Sequence, residues 1–294
     1  MGDDGDMNRW VQGARPRTLP AAVVPVALGA AAMVGEPEPA WWRASLALLV
    51  SLALQVAVNY ANDYSDGVRG TDDQRVGPVR LVASGLAAPR AVKRAAMVAF
   101  AVAAVAGLVL AVATSLWLLA VGAAAIAAGW FYTGGPRPYG YLGLGEVFVF
   151  VFFGLVATAG TAYVVGGSIT AVGWLAGCMA GCLACALLVV NNLRDIPTDR
   201  EVGKRTLAVR IGDAWTRRLY AGLMAAAFVL VAVIAIVDRP LAAVGLLGVA
   251  AAWPAIGKVL DGASGAQLVA VLGATGRAQM ITGLLAAAGI AAAG

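Results

Sequence analysis

Residues 147–193 read VFVFVFFGLVATAGTAYVVGGSITAVGWLAGCMAGCLACALLVVNNL, without a single Asp, Glu, Lys or Arg, and Arg194-Asp195 follows at once. A membrane-spanning helix takes about 20 predominantly apolar residues at ~1.5 Å each. The run is too long for one crossing and too apolar for water, so it predicts two membrane helices joined at Gly166-Gly167-Ser168. The charge-free run 95–136 has the same character, with its turn expected at Ala113-Thr114-Ser115. Five further runs, 18–35, 44–62, 219–237, 240–257 and 278–294, match one span each. The expected fold is therefore all-α, a polytopic bundle of nine transmembrane helices forming a single domain over residues 1–294. The glycine-broken run 262–276 reads as a loop or interfacial segment.

Composition agrees with this reading. Hydrophobic residues make up 61% and charged residues 13% of the chain, where soluble domains carry about 25% charged residues, and the mean hydropathy is +0.83. In the nine-span arrangement all of the 21 Lys and Arg except Arg43 and Arg239 fall on one side. Basic residues accumulate in cytoplasmic loops, which predicts a cytoplasmic N-terminus and an external C-terminus. The net charge of +5 follows from that topology and from ligand contacts, and gives no reason to invoke nucleic acid. Asp3, Asp4 and Asp6 stand where a signal peptide would carry basic residues, so a cleaved leader is not expected. The chain has no histidine, which excludes Ser-His-Asp and Cys-His machinery and the HExxH zinc motif. Cys178, Cys182 and Cys185 lie on one helical face and read as packing residues, since zinc would want four ligands.

The acids say more than the apolar runs. A transporter typically places ionisable groups within its spans, whereas here Asp and Glu gather at helix ends. One cluster closes the second span, Asn59-Tyr-Ala-Asn62-Asp63-Tyr-Ser-Asp66-Gly-Val-Arg69, and runs on to Asp72-Asp73. The other closes the sixth, Asn191-Asn192-Leu-Arg194-Asp195-Ile-Pro-Thr-Asp199, and runs on to Lys204-Arg205. Asn59, Asp63 and Asp66 share one helical face, as do Asn191, Asp195 and Asp199, although Pro197 is expected to distort the final turn. Each cluster begins Asn-x-x-x-Asp and ends in a basic loop, a weak internal repeat. Four carboxylates brought together need cations between them. Oxygen ligands of this kind suit Mg²⁺, and Arg69, Arg137, Lys204 and Arg205 would complete a diphosphate site. The plainer alternative is that Asp, Asn and Gly merely end helices at the membrane surface, which two clusters of matched spacing argue against.

These residues resemble the UbiA superfamily of intramembrane aromatic prenyltransferases, whose two signatures match Asn62-Asp63-x-x-Asp66 and Asp195-x-x-x-Asp199. The resemblance covers about residues 10 to 294. Within the superfamily the chain looks most like the branch that prenylates 1,4-dihydroxy-2-naphthoate in menaquinone synthesis. The segments carrying that finer match are Arg15-Pro-Arg17-Thr-Leu-Pro20, Asn62 to Gly70 with Arg75 to Arg80, and Tyr132 to Glu146. In many members a lysine lies four residues after the tyrosine equivalent to Tyr132. Here Pro136 takes that place, and Arg137 is the substitute. Asn191 stands where some quinone-pathway relatives have a third Asp.

The resemblance implies a Mg²⁺-dependent enzyme of a bacterial plasma membrane, with its active site near the cytoplasmic face. It would take a polyprenyl diphosphate and a dihydroxynaphthoate, and release diphosphate and CO₂. Asp63, Asp66, Asp195 and Asp199 are the implied metal ligands. Asn59, Asn62, Asn191, Arg69, Arg137, Lys204 and Arg205 are the implied diphosphate contacts. Arg15 and Arg17 are candidates for the acceptor carboxylate, or else simple cytoplasmic anchors. Tyr132 either faces the developing allyl cation or belongs to an interfacial aromatic belt. Glu146 is a candidate for deprotonating the acceptor. Gly140, Gly143 and Gly145 do not form a nucleotide loop, because no strand precedes them. The rival readings are a sister enzyme acting on 4-hydroxybenzoate, homogentisate or haem, and a nine-span transporter. A CDP-alcohol phosphotransferase is excluded by the absence of its Asp-rich motif.

Overall fold

The computed structural model describes residues 8–71, 77 and 79–294. The N-terminal acids Asp3, Asp4 and Asp6, and Asp72, Asp73 and Arg75 of the first motif loop, lie outside these residues. The described chain is helical: α1 (Arg9–Ala14), α2 (Pro20–Ala31), α3 (Trp41–Arg69), α4 (Pro89–Ala113), α5 (Leu118–Phe131), α6 (Gly145–Gly166), α7 (Ala171–Glu201), α8 (Leu207–Ile211), α9 (Asp213–Val237), α10 (Pro240–Leu260) and α11 (Ala266–Ala292), with short 3₁₀ turns between some of them. Seven of these, α3, α4, α6, α7, α9, α10 and α11, are long and apolar enough to cross a membrane. The apolar α2 and α5 are shorter, at 12 and 14 residues.

Both expected turns occur. α4 ends at Ala113, and α6 ends at Gly166 with Gly167 in the left-handed region at φ +75°, a conformation open to glycine without a Cβ penalty. One expectation is corrected. Residues 262–276 are not a loop throughout, because α11 begins at Ala266 and passes through Arg277. Arg277 is exposed on the helix surface, where a long basic side chain can keep its head in a polar layer while its stem lies along apolar surface. Pro197 does not end α7, which continues to Glu201.

Close approach through small residues sets the packing, as expected where lipid tails are as apolar as the helices themselves. A Cβ on Gly29 of α2 would lie 2.2 Å from the carbonyl oxygen of Thr158 in α6. The larger core joins α2, α7, α9, α10 and α11 around Met179, Leu183, Met224 and Ile290. A smaller one, around Tyr60, Leu81 and Phe100, seats the loop that follows α3. Between these cores α3, α4, α5, α6 and α7 surround a large cavity, with the ends of α3 and α7 at one pole.

Candidate active site

The cavity measures about 1120 Å³ and has two unlike halves. Its body is apolar, walled by Leu54 and Val58 of α3, Leu108 of α4, Ile126 of α5 and Phe152 and Phe153 of α6. Leu108 and Leu119 line it while remaining 49% and 44% exposed, so the body opens sideways toward the surface that lipid would cover. Around Phe152 the helix α6 widens into a π-helical turn, Phe150–Val156, a distortion common at functional sites.

The polar pole is built from helix ends. Asn59, Asn62 and Asp66 of α3 line it, as do Asn191, Asn192 and Asp195 of α7, and Lys204 reaches in from the loop beyond. Lys204 Nζ lies 3.5 Å from Asp66 Oδ2 and 3.7 Å from Asp199 Oδ1, tying the two motifs together. Burial opposes its charge, but the carboxylates of Asp66 and Asp199 outweigh that and hold the Lys204 ammonium above its usual pKa. Tyr141 Oη donates to Asp66 Oδ1 at 2.8 Å. Burial, followed by the Asp66 charge, pushes this phenol up to about 12. Lys204 Nζ also stands over the Tyr141 ring, 5.1 Å from its centroid. The crowded carboxylates are thus compensated by cations. Asp195 receives both Nε and Nη2 of Arg194 at 2.7 and 2.8 Å, and Gly77 of the first motif loop packs against that guanidinium.

The N-terminal segment completes the pole. Asn59 Nδ2 donates to the Ala14 carbonyl at 2.8 Å and to Thr18 Oγ1 at 3.0 Å, while its Oδ1 accepts from Gln55 at 3.3 Å. This holds Arg15 and Arg17 on the cavity wall. Arg15 is a non-glycine residue in the left-handed region, at φ +53°, a conformation that persists where its surroundings over-determine it. Tyr132 lines the cavity beside the pole. Burial, with the charge of Glu146 next in size, holds its phenol well above the usual value, so it stays neutral.

Several residues singled out by sequence lie elsewhere. Asp63 is fully buried off the cavity, its two oxygens accepting the backbone N–H groups of Leu81 at 2.8 Å and Val82 at 3.0 Å. It braces the loop after α3, a different place from the metal position expected of it. Arg69 turns away from the cavity, donates to the carbonyls of Thr133 and Gly135, and lies over the Tyr141 ring. It clamps the loop after α5, whose Thr133 donates to Asn62 Oδ1 at 2.8 Å. Arg137 and Arg205 are exposed and do not line the cavity. Asp199 is buried and acts on the pole through Lys204. The three cysteines are free, and Cys185 Sγ donates to the Glu146 carbonyl.

Structure adds Gln55, Thr18, Arg80 and Asn192 to the wall. Gln55 precedes Asn59 by four residues and so shares its face, a signal present in the sequence. Arg80 carries none beyond lying in a basic loop.

Among the described residues no three acidic side chains gather closely enough to form a metal site by themselves. The donor chemistry still suits a hard cation. The pole offers carboxylate and amide oxygens without imidazole or thiolate, and Mg²⁺ takes one or two carboxylates with the rest from water and phosphate. A cation already stands between Asp66 and Asp199, in the form of the Lys204 ammonium.

Residues 22–275 match the model of the UbiA prenyltransferase family. A protein of Mycobacterium tuberculosis named 1,4-dihydroxy-2-naphthoate octaprenyltransferase is 53% identical over 283 residues, covering 96% of this chain and 97% of the relative. One of the same name from Escherichia coli is 38% identical over 237 residues, covering 76% and 75%. Among solved structures, a UbiA homolog from Archaeoglobus fulgidus bound to GPP and Mg²⁺ superposes with a TM-score of 0.60 at 16% identity, covering 96% of this chain and all of that one. By the extent of the family match, the similarity of these relatives and the shared fold, the chain belongs to the UbiA prenyltransferase family.

Proposed function

We propose that this chain transfers a polyprenyl group from a polyprenyl diphosphate to 1,4-dihydroxy-2-naphthoate, with release of diphosphate and CO₂, to give demethylmenaquinol, the reduced form of demethylmenaquinone. One observation carries the reading: a single cavity joins an acid-and-cation pole, fed by both motifs, to an apolar body that opens sideways. The prenyl tail lies along Leu54, Val58 and Phe152, and the diphosphate meets Lys204, Asn62 and Asn191. The names of the curated relatives support the choice of acceptor.

A Mg²⁺ ion held at the pole would supply positive charge against the negative charge gathering on the departing diphosphate. Asp66, Asp195 and Asp199 are the residues that would hold it, directly or through water. Lys204 stays protonated and adds a fixed positive charge where the leaving oxygen becomes anionic, which is electrostatic stabilisation of the kind that costs no reorganisation. Tyr132, kept neutral, presents its ring to the allyl cation. Arg15 and Arg17 receive the acceptor carboxylate, placing the ring carbon that bears it against the cation. New C–C bond formation at that carbon is balanced by departure of CO₂, which returns the electron pair to the ring. Asp63 and Arg69 hold the loops that close the pole.

All nine apolar helices, including the short α2 and α5, cross a bacterial plasma membrane as one domain. The N-terminus and the polar pole face the cytoplasm and the C-terminus lies outside. The distribution of Lys and Arg supports this orientation. Trp41, Trp42 and Trp117, exposed at the opposite ends of α3 and α5, suit the outer interface.

A mass-resolved product assay tests the proposal, with purified protein in detergent, Mg²⁺, a long-chain prenyl diphosphate and an equimolar mixture of 1,4-dihydroxy-2-naphthoate and 4-hydroxybenzoate. A prenylated, decarboxylated naphthol that disappears with EDTA is the expected product. Prenylated hydroxybenzoate would move the acceptor, and no prenylated product would overturn the reading.

A further inference from the structure

One buried acid has no part in the pole. Glu146, in the first turn of α6, is 8% exposed. Its Oε1 accepts from Asn192 Nδ2 at 3.0 Å, and its Oε2, shielded from solvent, has no hydrogen-bond partner among the described residues. Its backbone carbonyl is held by Cys185 Sγ at 3.1 Å. Glu146 does not line the main cavity, but Asn192 does. The phenol of Tyr132 lies alongside, since a Cβ on Gly145 would stand 3.5 Å from its hydroxyl.

A side-chain amide has a donor end and an acceptor end. A free asparagine on a cavity wall can offer either. Here the donor end is tied down, since an Nδ2 N–H is donated to Glu146 Oε1. Tying one N–H to Glu146 fixes which way the amide lies and leaves its carbonyl oxygen, beside the second N–H, for other partners, and that oxygen recognises a hydroxyl or N–H donor. The aromatic substrate proposed above carries two ring hydroxyls.

We infer that Glu146 is a positioning residue that fixes the Asn192 amide with Oδ1 toward the cavity, where it accepts a hydrogen bond from a ring hydroxyl of the aromatic acceptor. The inference rests on the proposed reaction. It gives Glu146 a part other than proton abstraction, because Asn192 stands between its carboxylate and the cavity. It also makes the pair a determinant of specificity. A site built to pair with a hydroxyl rejects an analogue lacking it, because the site's own polar group is then buried unpaired.

The test is steady-state kinetics on wild type, E146A, E146Q, N192A and the double variant E146A/N192A, varying each substrate in turn. E146A and N192A should each raise the acceptor KM by about tenfold or more while leaving the prenyl diphosphate KM within about twofold. The double variant should be no worse than the poorer single one, as for residues acting through one contact. Gln at position 146 keeps an oxygen that can accept from Asn192, so E146Q should recover most of the acceptor affinity. Competitive inhibition by naphthoates lacking one ring hydroxyl should separate from the parent in wild type and converge with it in N192A. This measurement reads N192A and E146Q even where E146A does not fold. An unchanged acceptor KM, an E146Q as impaired as E146A, or effects that multiply in the double variant would overturn the inference. Failure of the wild type to prenylate the naphthoate at all would instead sink the reaction on which it rests.

Discussion

Asp63 and Asp66 are three residues apart in one motif, yet they stand in different surroundings, and substituting each by asparagine tests whether their work differs as well. Asp63 accepts two backbone N–H groups in a fully buried position. Asparagine in its place accepts one and points an N–H₂ at the other. The lost bond is charge-assisted, worth about 1.5–3 kcal/mol, and the donor it leaves behind is buried. About 2 kcal/mol of local destabilisation corresponds to a ~30-fold rise in opening of the loop. Asp63→Asn should therefore speed amide hydrogen exchange at Leu81 and Val82 by about that factor. Because Gly77 and Arg80 of the same loop line the pole, it should also weaken prenyl diphosphate binding. Asp66→Asn should leave exchange at Leu81 and Val82 as in wild type, while turnover falls by at least about 100-fold through loss of a carboxylate at the leaving group. The assay is exchange mass spectrometry in lipid nanodiscs beside single-turnover kinetics. Equal protection of the loop in wild type and Asp63→Asn, or loosening of it by Asp66→Asn, would refute the division of labour.

Replacing Lys204 by Met removes the cation between Asp66 and Asp199. It should weaken diphosphate binding by about 2–3 kcal/mol, measured as the Kd of a non-hydrolysable prenyl diphosphate, and an affinity near that of wild type would rule the role out. The Lys204 pKa is raised on folding, so its contribution is complete below the usual lysine value and fades only as pH rises through the higher folded one. With Tyr141 also pushed up, to about 12, analogue affinity should show no loss assignable to either group between about pH 7 and 9.5, and a midpoint near pH 8 traced to Lys204 would contradict this. Gly29→Ala places a Cβ 2.2 Å from the Thr158 carbonyl and should lower the thermal-aggregation midpoint in detergent, since overpacking costs about 1–3 kcal/mol. Gly222→Ala, where a Cβ meets open space, should not, and equal midpoints for the two would count against the packing account. A reporter active only outside the cytoplasm, fused after Gly294, should be active. Silence there, with activity from an N-terminal fusion, would invert the topology.

The helices were legible because charge bounds their apolar runs, although α3 and α7 continue beyond the first charges to Arg69 and Glu201. Arg194 and Asp195 close the apolar run 147–193, and Gly166-Gly167 divides it. The same criterion misplaces the start of α11, because it treats Arg277 as a boundary when a surface arginine can ride on a helix flank. The site was legible to the level of a stripe and no finer. Asn59, Asp63 and Asp66 share a face by spacing, but a helical face is wide, and the cavity lies toward its Asn62 edge. The stripe that lines the cavity is Asn59, Asn62 and Asp66, and Asp63 falls on the opposite flank, where it meets Leu81 and Val82. In α7 the rotation goes the other way, and Asp195, the repeat-related counterpart of Asp63, does line the cavity together with Asn192. The repeat therefore conserves spacing without conserving use. Which edge of a polar stripe faces a ligand is set by the tilt and rotation of neighbouring helices, here fixed by contacts such as Gly29 on Thr158 and Asn59 on Ala14. Those contacts join residues far apart in the chain, so no local spacing encodes them. The same reasoning explains the arginines. Arg69, Arg137 and Arg205 carry the same charge as Lys204, and only the path of the loops decides that Lys204 enters the pole while Arg69 donates to the carbonyls of Thr133 and Gly135.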